Sequence, residues 1–519
     1  MKTRLTPFSK LLIVALVIGG VFAVINYVPG LKEKLMPEPQ QQGVTNEDEE
    51  DYSTSSSDDV IKIGVVTWGG YAGGEYFNEG FKANTKSRFY KDYGFKVEFK
   101  VMDDFNASRS AWKAGEVDLL WATIDAFTTE VGGMWNEFEP QVIFQADWSR
   151  GGDAIVVRRG INKVSDLKGK KVAFAEMTPS HTFLLWLLEA GNMTQNDIEA
   201  VKVASAIDAA DLFKKGQVDA AVVWSPDDAD CVAKVKGSKV LQNTKQASNI
   251  ITDIFIAKKK YLEKNRKKLE NLLEGWLKGA AEINNSDEAK QKAAKILEQG
   301  LGMPYDFCYD AINNVRLCTY GDNLNFFGLN ADFTGVTGED IYNKMETKYR
   351  KYGYINEKIP NWRLIANPSL ILALESKLKD AEGQEAEGAA KFTEVTEEVK
   401  TAEAISTKSV SITFATGSYT LDDNMKYIID NEFLDIAKSF ANARIRIEGN
   451  TDNTGSAAAN RALSYKRAQA VANYLINEHG FDKNRFIIIG NGPDKPVASN
   501  ATPEGRAKNR RTDFELVAK

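Results

Sequence analysis

The chain has 519 residues, 43% hydrophobic and 27% charged, with a formal net charge of −6. That length exceeds a single core and calls for two or three domains. The acidic balance leaves no basic footprint for nucleic acid, and two histidines with three scattered cysteines leave no CxxC pair, no zinc set and no histidine-based triad. No metal or other cofactor is expected. Cys308 and Cys318 are candidates to pair if the compartment is oxidising, and sequence alone does not decide it.

Lys2, Arg4 and Lys10 precede the apolar run Leu11 to Val28, in which Asn26 is the one strongly polar side chain. As a helix the run spans roughly 27 Å, about one hydrocarbon core. Residues 1–10 then lie in the cytoplasm and 11–28 form a transmembrane anchor. A signal peptide cut after Ala23 is the competing reading, but the apolar run continues beyond that point. No acidic residue interrupts the run, which argues against proton conduction. Residues 29–59 carry a Pro/Gln stretch, the acid run Glu47 to Asp51 and a Ser/Thr run. That composition predicts a disordered acidic tether, reaching about 80 Å when extended.

Residues 60–366 alternate strand and helix patterns. Strands are predicted at 60–67, 95–102, 117–121, 171–175, 200–204 and 218–224, with helices near 75–93, 108–114 and 182–190. The step helix, Lys-x-Gly-x-Val-Asp, strand occurs twice, ending at Asp118 and Asp219. Two similar βα lobes with a cleft at their strand ends follow from this. Thr178 and Ser180 open a helix, where free amides and the dipole favour an anion. Their hydroxyls serve equally as helix caps. Trp68, Tyr71 and Trp224 wall a pocket or sit in the core. His181 is a pocket residue or a cap. Asp125 and Asp153 gate the cleft or hold an amine. Leu269, Leu272, Leu273 and Trp276 form a core-facing helical stripe. A second amphipathic helix is predicted near 339–351, in a region that covers the second lobe.

Several motifs in residues 60–285 resemble the periplasmic solute-binding proteins of ABC importers, in the nitrate, sulfonate and taurine group. They are Ala114-Gly-Glu-Val-Asp-Leu119, the 161–173 segment, Met177-Thr-Pro-Ser-His-Thr-Phe-Leu-Leu185 and Gly216-Gln-Val-Asp-Ala-Ala-Val-Val-Trp-Ser-Pro226. The resemblance implies a ligand between the lobes, lined by Trp68, Gly69, Gly70, Tyr71, Thr123, Thr178, Ser180, His181, Trp224 and Ser225.

Residues 367–409, rich in Ala, Glu, Lys and Thr, read as a semi-flexible linker. Residues 410–519 predict strand (410–414), helix (421–440), strand (443–449), helix (457–479) and strands (485–490, 511–517), a βαβαββ two-layer sandwich. Here Ile445 and Ile447 lead into the turn Gly449 to Gly455, and Arg467 shares a helix face with Asn460 and Ser464. Asp452 in the turn, facing that guanidinium, forms a grip for a zwitterion.

Ile412-x-Phe414, Glu448-Gly-Asn-Thr-Asp-Asn-Thr-Gly455, Asn460-x-x-Leu-Ser-x-x-Arg-Ala468, Gly490-Asn-Gly-x-x-x-Pro496 and Asn509-Arg-Arg511 closely resemble the peptidoglycan-binding domain of the outer-membrane protein A family. The resemblance implies that Asp452 holds the ammonium and Arg467 the carboxylate of the diaminopimelate stem. Asn450, Thr451, Asn453, Asn460 and Arg511 would line or support that pocket. The family commonly has histidine where Asn450 stands. Asn509 to Arg511 read equally as a structural ion-pair cluster.

The fold class expected is α/β: an N-terminal transmembrane helix, a two-lobed binding domain and a C-terminal sandwich. The function expected is non-enzymatic: a single-pass inner-membrane protein whose periplasmic part binds peptidoglycan and a small, anionic solute. Two alternatives stay open. One is a ligand-free docking subunit of an envelope complex with protein partners, the other the solute-binding component of an ABC importer.

Overall fold

Two runs of βα alternation build two open sheets, and the chain crosses between them twice. The computed structural model describes residues 60–517 apart from 413 and 416, so the anchor and acidic tether expected within 1–59 lie outside the described residues. In chain order the strands are β1 (Val60–Val65), β2 (Lys96–Val101), β3 (Leu119–Thr123), β4 (Pro140–Gln145), β5 (Asp147–Ser149), β6 (Asp153–Val157), β7 (Lys171–Ala175), β8 (Glu199–Val203), β9 (Ala220–Trp224), β10 (Lys239–Asn243), β11 (Asp253–Lys258), β12 (Val315–Leu317), β13 (Ala404–Val410), β14 (Arg444–Asn450), β15 (Phe486–Gly492) and β16 (Thr512–Val517). The helices that position the sites are α1 (Ala72–Phe77), α2 (Ile124–Phe127), α3 (Pro179–Ala190), α4 (Lys259–Asn285), α5 (Gly338–Lys351) and α6 (Ala457–His479). Among the described residues no helix is long and apolar enough to cross a membrane.

The first lobe's sheet runs β2-β1-β3-β11-β4 and the second's β10-β6-β9-β7-β8. β1 is parallel to β2 and β3, and β7 to β8 and β9, whereas β11 and β6 run antiparallel to their neighbours. Strands β3 and β4 are buried along their whole length, as sheets covered on both faces require. The first passage between lobes goes from β4 through β5 to β6, and the second returns from β10 to β11. Backbone hydrogen bonds staple the passages together: Ser149 N to Ile251 O at 3.0 Å, Ala146 N to Asp253 O at 2.8 Å and Thr244 N to Asp153 O at 3.0 Å.

The predicted stripe on α4 is core. Leu269, Leu272, Leu273 and Trp276 are buried, and the Trp276 ring meets Phe255 at 5.0 Å and Phe144 at 5.1 Å. The helix expected over 75–93 is two short helices, α1 and Arg88–Tyr93, since Gly80 at φ 139° takes a backbone no helix accommodates. Helix α5 does more than cover the second lobe. It packs on α2 of the first, while Tyr349 hydrogen-bonds Thr182 of α3 at 2.8 Å and Lys348 pairs with Glu189 at 2.6 Å. Cys231, Cys308 and Cys318 are each buried and free.

Much of the stretch expected as a spacer is packed instead. Leu370, Ile371, Leu374 and Leu378 are buried, and Gln384 donates to Leu277 O at 2.9 Å while accepting from Tyr320 N at 3.0 Å. Four apolar side chains among charges suffice to hold it to the first lobe. The C-terminal sheet runs β13-β16-β14-β15, with β14 and β15 parallel. Its first strand is β13, earlier than the expected 410–414, because 404–410 pairs with β16 from Ala404↔Val517 to Val410↔Thr512. The helix expected over 421–440 is three segments from Asp423 to Ser439, the middle one a π-turn. A further helix, Pro503–Asn509, precedes β16. This domain leans on the second passage: Asn249 N donates to Ser439 O and Asn442 Nδ2 to Lys245 O, both at 3.0 Å.

Helices α1 and α4 approach so closely that a Cβ at Gly279 would overlap the carbonyl of Gly73. Gly279→Ala is therefore expected to cost about 1–3 kcal/mol of stability. A lower denaturation midpoint than the wild type checks this, and an unchanged midpoint would show that the crossing yields.

Candidate functional site

The described residues carry two places where charged side chains converge. The first lies in the C-terminal domain, where β14 ends in the turn before α6. Ser456 caps α6 by accepting from Ala459 N, and Gly480 ends it in the left-handed conformation. Gly449 lets the helix lie on the sheet, since a Cβ there would overlap Ser464 O. Asp452 is thereby held at the helix start, its Oδ1 accepting from Thr454 N at 2.9 Å. Its Oδ2 is 2.6 Å from Arg510 Nη1. Burial raises the Asp452 carboxyl, but Arg510 and the Thr454 amide outweigh it and hold the group below the usual carboxylate range.

Arg467 reaches the same recess from α6. Its Nε donates to Ser418 O at 3.0 Å, and its guanidinium lies 4.8 Å above the Phe414 ring. Partial burial, then the neighbouring Arg510 charge, lower its pKa, while Asp452 opposes them. Arg467, Arg510, Arg511, Asn450, Ile412 and Phe414 line one recess of about 320 Å³, open mouth included. Of the expected pair, Arg467 lines the recess and Asp452 stands behind it, joined to it through Arg510. Asn460 braces the turn by donating to Thr454 O at 3.0 Å, and the Thr451 hydroxyl donates to Asp452 O at 2.8 Å. Asn453 is exposed on the turn. Arg511 pairs with Asp513 at 2.9 Å. Asn509, fully buried, accepts from Val497 N and Ala498 N. In the Asn509 to Arg511 run, then, the first residue is structural, the second enters the recess and the third supports it.

The second place is where the passages between lobes meet. The loop after β1 brings Trp68 and Tyr71 here. Trp68 Nε1 donates to Asp147 Oδ2 and Tyr71 Oη to Asp253 Oδ2, each at 2.5 Å. Gly70 abuts Asp147, and the Trp68 indole covers Gly152. Asp253 N donates to Asp147 Oδ1 at 3.2 Å. Asp153 accepts from Ser149 Oγ at 2.8 Å and pairs across strands with Trp224, as Asp253 does with Thr123. Ser225 N donates to Gly152 O at 2.8 Å. Asp125, in the first turn of α2, is fully buried, and neither carboxylate oxygen makes a hydrogen bond of ordinary geometry, the Thr182 and Thr123 hydroxyls standing near it. Burial pushes Asp125, Asp147 and Asp153 up to about 7, and Asp253 well above the carboxylate range. Burial and then the charges of Asp253 and Asp147 raise the Tyr71 phenol.

Four expected contacts are not brought to this place. His181 lies inside the second lobe, caged by Phe174 at 4.7 Å, Tyr354 at 5.0 Å and Tyr349 at 5.3 Å, with Nε2 on Gln195 at 2.8 Å. Burial lowers its pKa to about 4, so it stays neutral. Gly69 packs on the backbone of Ala311. Thr178 turns back to donate to Ala175 O at 2.8 Å. Ser180 is buried at the start of α3 with its hydroxyl unpartnered. The anion expected at that helix start meets opposing electrostatics, because carboxylates line the passages. Sequence reasoning missed Asp147, Asp253 and Arg510. The first two were visible as single acids ending apolar runs, at Gln145-Ala-Asp147 and Thr252-Asp253-Ile254.

Residues 413–510 match the profile described as OmpA family, and residues 80–289 the profile described as NMT1/THI5 like. The chain is 44% identical over 84 residues to outer membrane porin F of Pseudomonas aeruginosa, covering 16% of this chain and 24% of that protein. It is 48% identical over 88 residues to the peptidoglycan-binding protein ArfA of Mycobacterium tuberculosis, covering 17% and 27%. It thus spans about a quarter of the length of these curated relatives. The crystal structure of the periplasmic aliphatic sulphonate binding protein SsuA from Escherichia coli superposes with a TM-score of 0.47 at 18% identity, over 65% of this chain and 97% of that one. The polypeptide joins an NMT1/THI5-like domain to a C-terminal OmpA-family domain.

Proposed function

We propose that this chain is a binding protein of the cell envelope, gripping peptidoglycan through its C-terminal domain and a small solute between the lobes of its middle domain. The observation that carries the first half is the recess lined by Arg467 and Arg510, with Asp452 joined to it through Arg510. Its match to an OmpA-family profile and its likeness to a protein named for peptidoglycan binding support the reading. A zwitterion such as the diaminopimelate end of a stem peptide offers an ammonium to Asp452. It displaces the Arg510 guanidinium, which is then free, with Arg467, to meet the carboxylate bidentately. The second half rests on the NMT1/THI5-like profile and on two lobes joined by two stapled passages. The apolar run at 11–28, as an inner-membrane anchor, would hold the chain at one end and the wall at the other, with the bulk in the periplasm. Binding accounts for all these features without a bond-making step.

Asp452→Ala and Arg467→Ala should each reduce co-sedimentation with purified sacculi by roughly tenfold or more, the loss of a buried charge-assisted contact. Asp494→Ala, which removes an exposed ion pair with Arg461, should leave it unchanged. Wild-type sedimentation of both recess variants would overturn the wall-binding reading.

Thermal-shift screening of the full chain against small anions and amines should find at least one stabilising solute, since a ligand bound to the native state raises the midpoint by mass action. A flat response to all of them would favour a docking subunit instead.

A further inference from the structure

We infer that the solute held between the lobes carries an organic ammonium, received among Asp125, Asp147, Asp153 and Asp253. The inference rests on the reading of the middle domain as a solute binder.

These side chains converge from separate parts of the chain. Asp125 follows β3 in the first lobe, Asp147 and Asp153 lie on the first passage, and Asp253 begins β11 on the second. All four are at most 5% exposed. Their hydrogen-bond donors are neutral: the Trp68 indole, the Tyr71 phenol, the Ser149 hydroxyl and the Asp253 amide. Arg150 bears on Asp147 electrostatically, but its guanidinium is engaged by Ser248 O and by Glu387 at 2.5 Å. Buried carboxylates with so few donors, all of them neutral, are driven toward protonation or toward a cation.

Asp125 points the same way independently. It is fully buried and neither oxygen makes a hydrogen bond of ordinary geometry, with only the Thr182 and Thr123 hydroxyls and its own backbone near enough to favour its charge; that charge is felt by Asp153 and Asp253. A buried carboxylate so weakly satisfied has room for a donor from a bound group. An organic ammonium supplies a positive charge with up to three N–H donors. The Trp68 ring adds an aromatic wall suited to such a cation.

Proton balance sets the pH dependence. Asp125, Asp147 and Asp153 ionise near 7, well above their unfolded range, so the empty site holds protons at acidic pH. An ammonium enters as those protons leave, and binding tightens as pH rises through 7. An anion would bind with the reverse dependence. The other ionisable groups facing the cluster are Tyr71, Glu75 beside it, Arg150, Glu130 and Tyr349.

Calorimetric titration of the full chain with putrescine, ethanolamine and choline, and separately with nitrate and propanesulfonate, tests this. At least one amine should bind at pH 7.5, with affinity roughly tenfold weaker at pH 5.5, and Asp125→Asn should weaken it by a similar factor. Asp153→Asn provides a second variant, and circular dichroism reports whether each remains folded. Binding of nitrate or propanesulfonate with no amine bound would overturn the ammonium assignment and leave the solute-binding reading standing. Amine binding that is indifferent to pH and to both substitutions also overturns it. Silence from every compound removes the solute-binding reading, and this inference with it.

Discussion

A carboxylate taken out of water must find a proton, a cation or a full set of donors, and both sites of this chain are organised by that requirement. In the C-terminal domain Asp452 meets it with a guanidinium and a backbone amide. Its charge is therefore held in the ionised form and is exchangeable, since the Arg510 side chain that holds it is partly exposed. Between the lobes, Asp125, Asp147, Asp153 and Asp253 meet it with neutral donors or with none. Their charge is held back until something positive arrives. One carboxylate is thus held ionised by a neighbouring cation, and the others are held toward their protonated forms by burial.

The two passages between lobes tie these sites to one scaffold. Three of the four cleft carboxylates lie on the passages themselves, where backbone bonds between residues 146–149 and 251–253 fix their spacing. The C-terminal domain is hydrogen-bonded to the second passage at Lys245 and Asn249, and Lys344 of α5 reaches Asp435 at 3.0 Å. The passages, the bridging helix and the C-terminal domain therefore share contacts.

What could be read in advance follows from how each feature is encoded. Helix α6 was legible to the residue because a serine cap, a long helical pattern and a terminal glycine agree. The α4 stripe was legible because four large apolar residues repeat at helical spacing. Strand β13 was not, because Ala-Ile-Ser-Thr-Lys-Ser-Val carries little apolar alternation and is made a strand by β16 beside it. The packed part of the 367–409 stretch was hidden by its charges for the same reason. His181 misled because a histidine at a helix start looks polar, whereas three rings enclose it. Asp147 and Asp253 left no periodic trace: one acid in an apolar run means nothing until the topology brings two such runs together.

Asn450 shows why the departure from the family pattern leaves the recess intact. Its Nδ2 donates to Asp513 Oδ2 at 3.0 Å and to Glu448 O at 3.3 Å, and its Oδ1 accepts from Asn491 Nδ2 at 3.1 Å. A neutral imidazole offers one donor and one acceptor, so the histidine common at this position makes at most two such bonds. The amide makes three, and they run into the network behind β14, where Asp513 is also paired with Arg511. The amide is thus held by that network at the edge of the recess it lines with Arg467. The two charges that define the grip are set by other contacts: Arg510 and Thr454 for Asp452, Ser418 and Phe414 for Arg467.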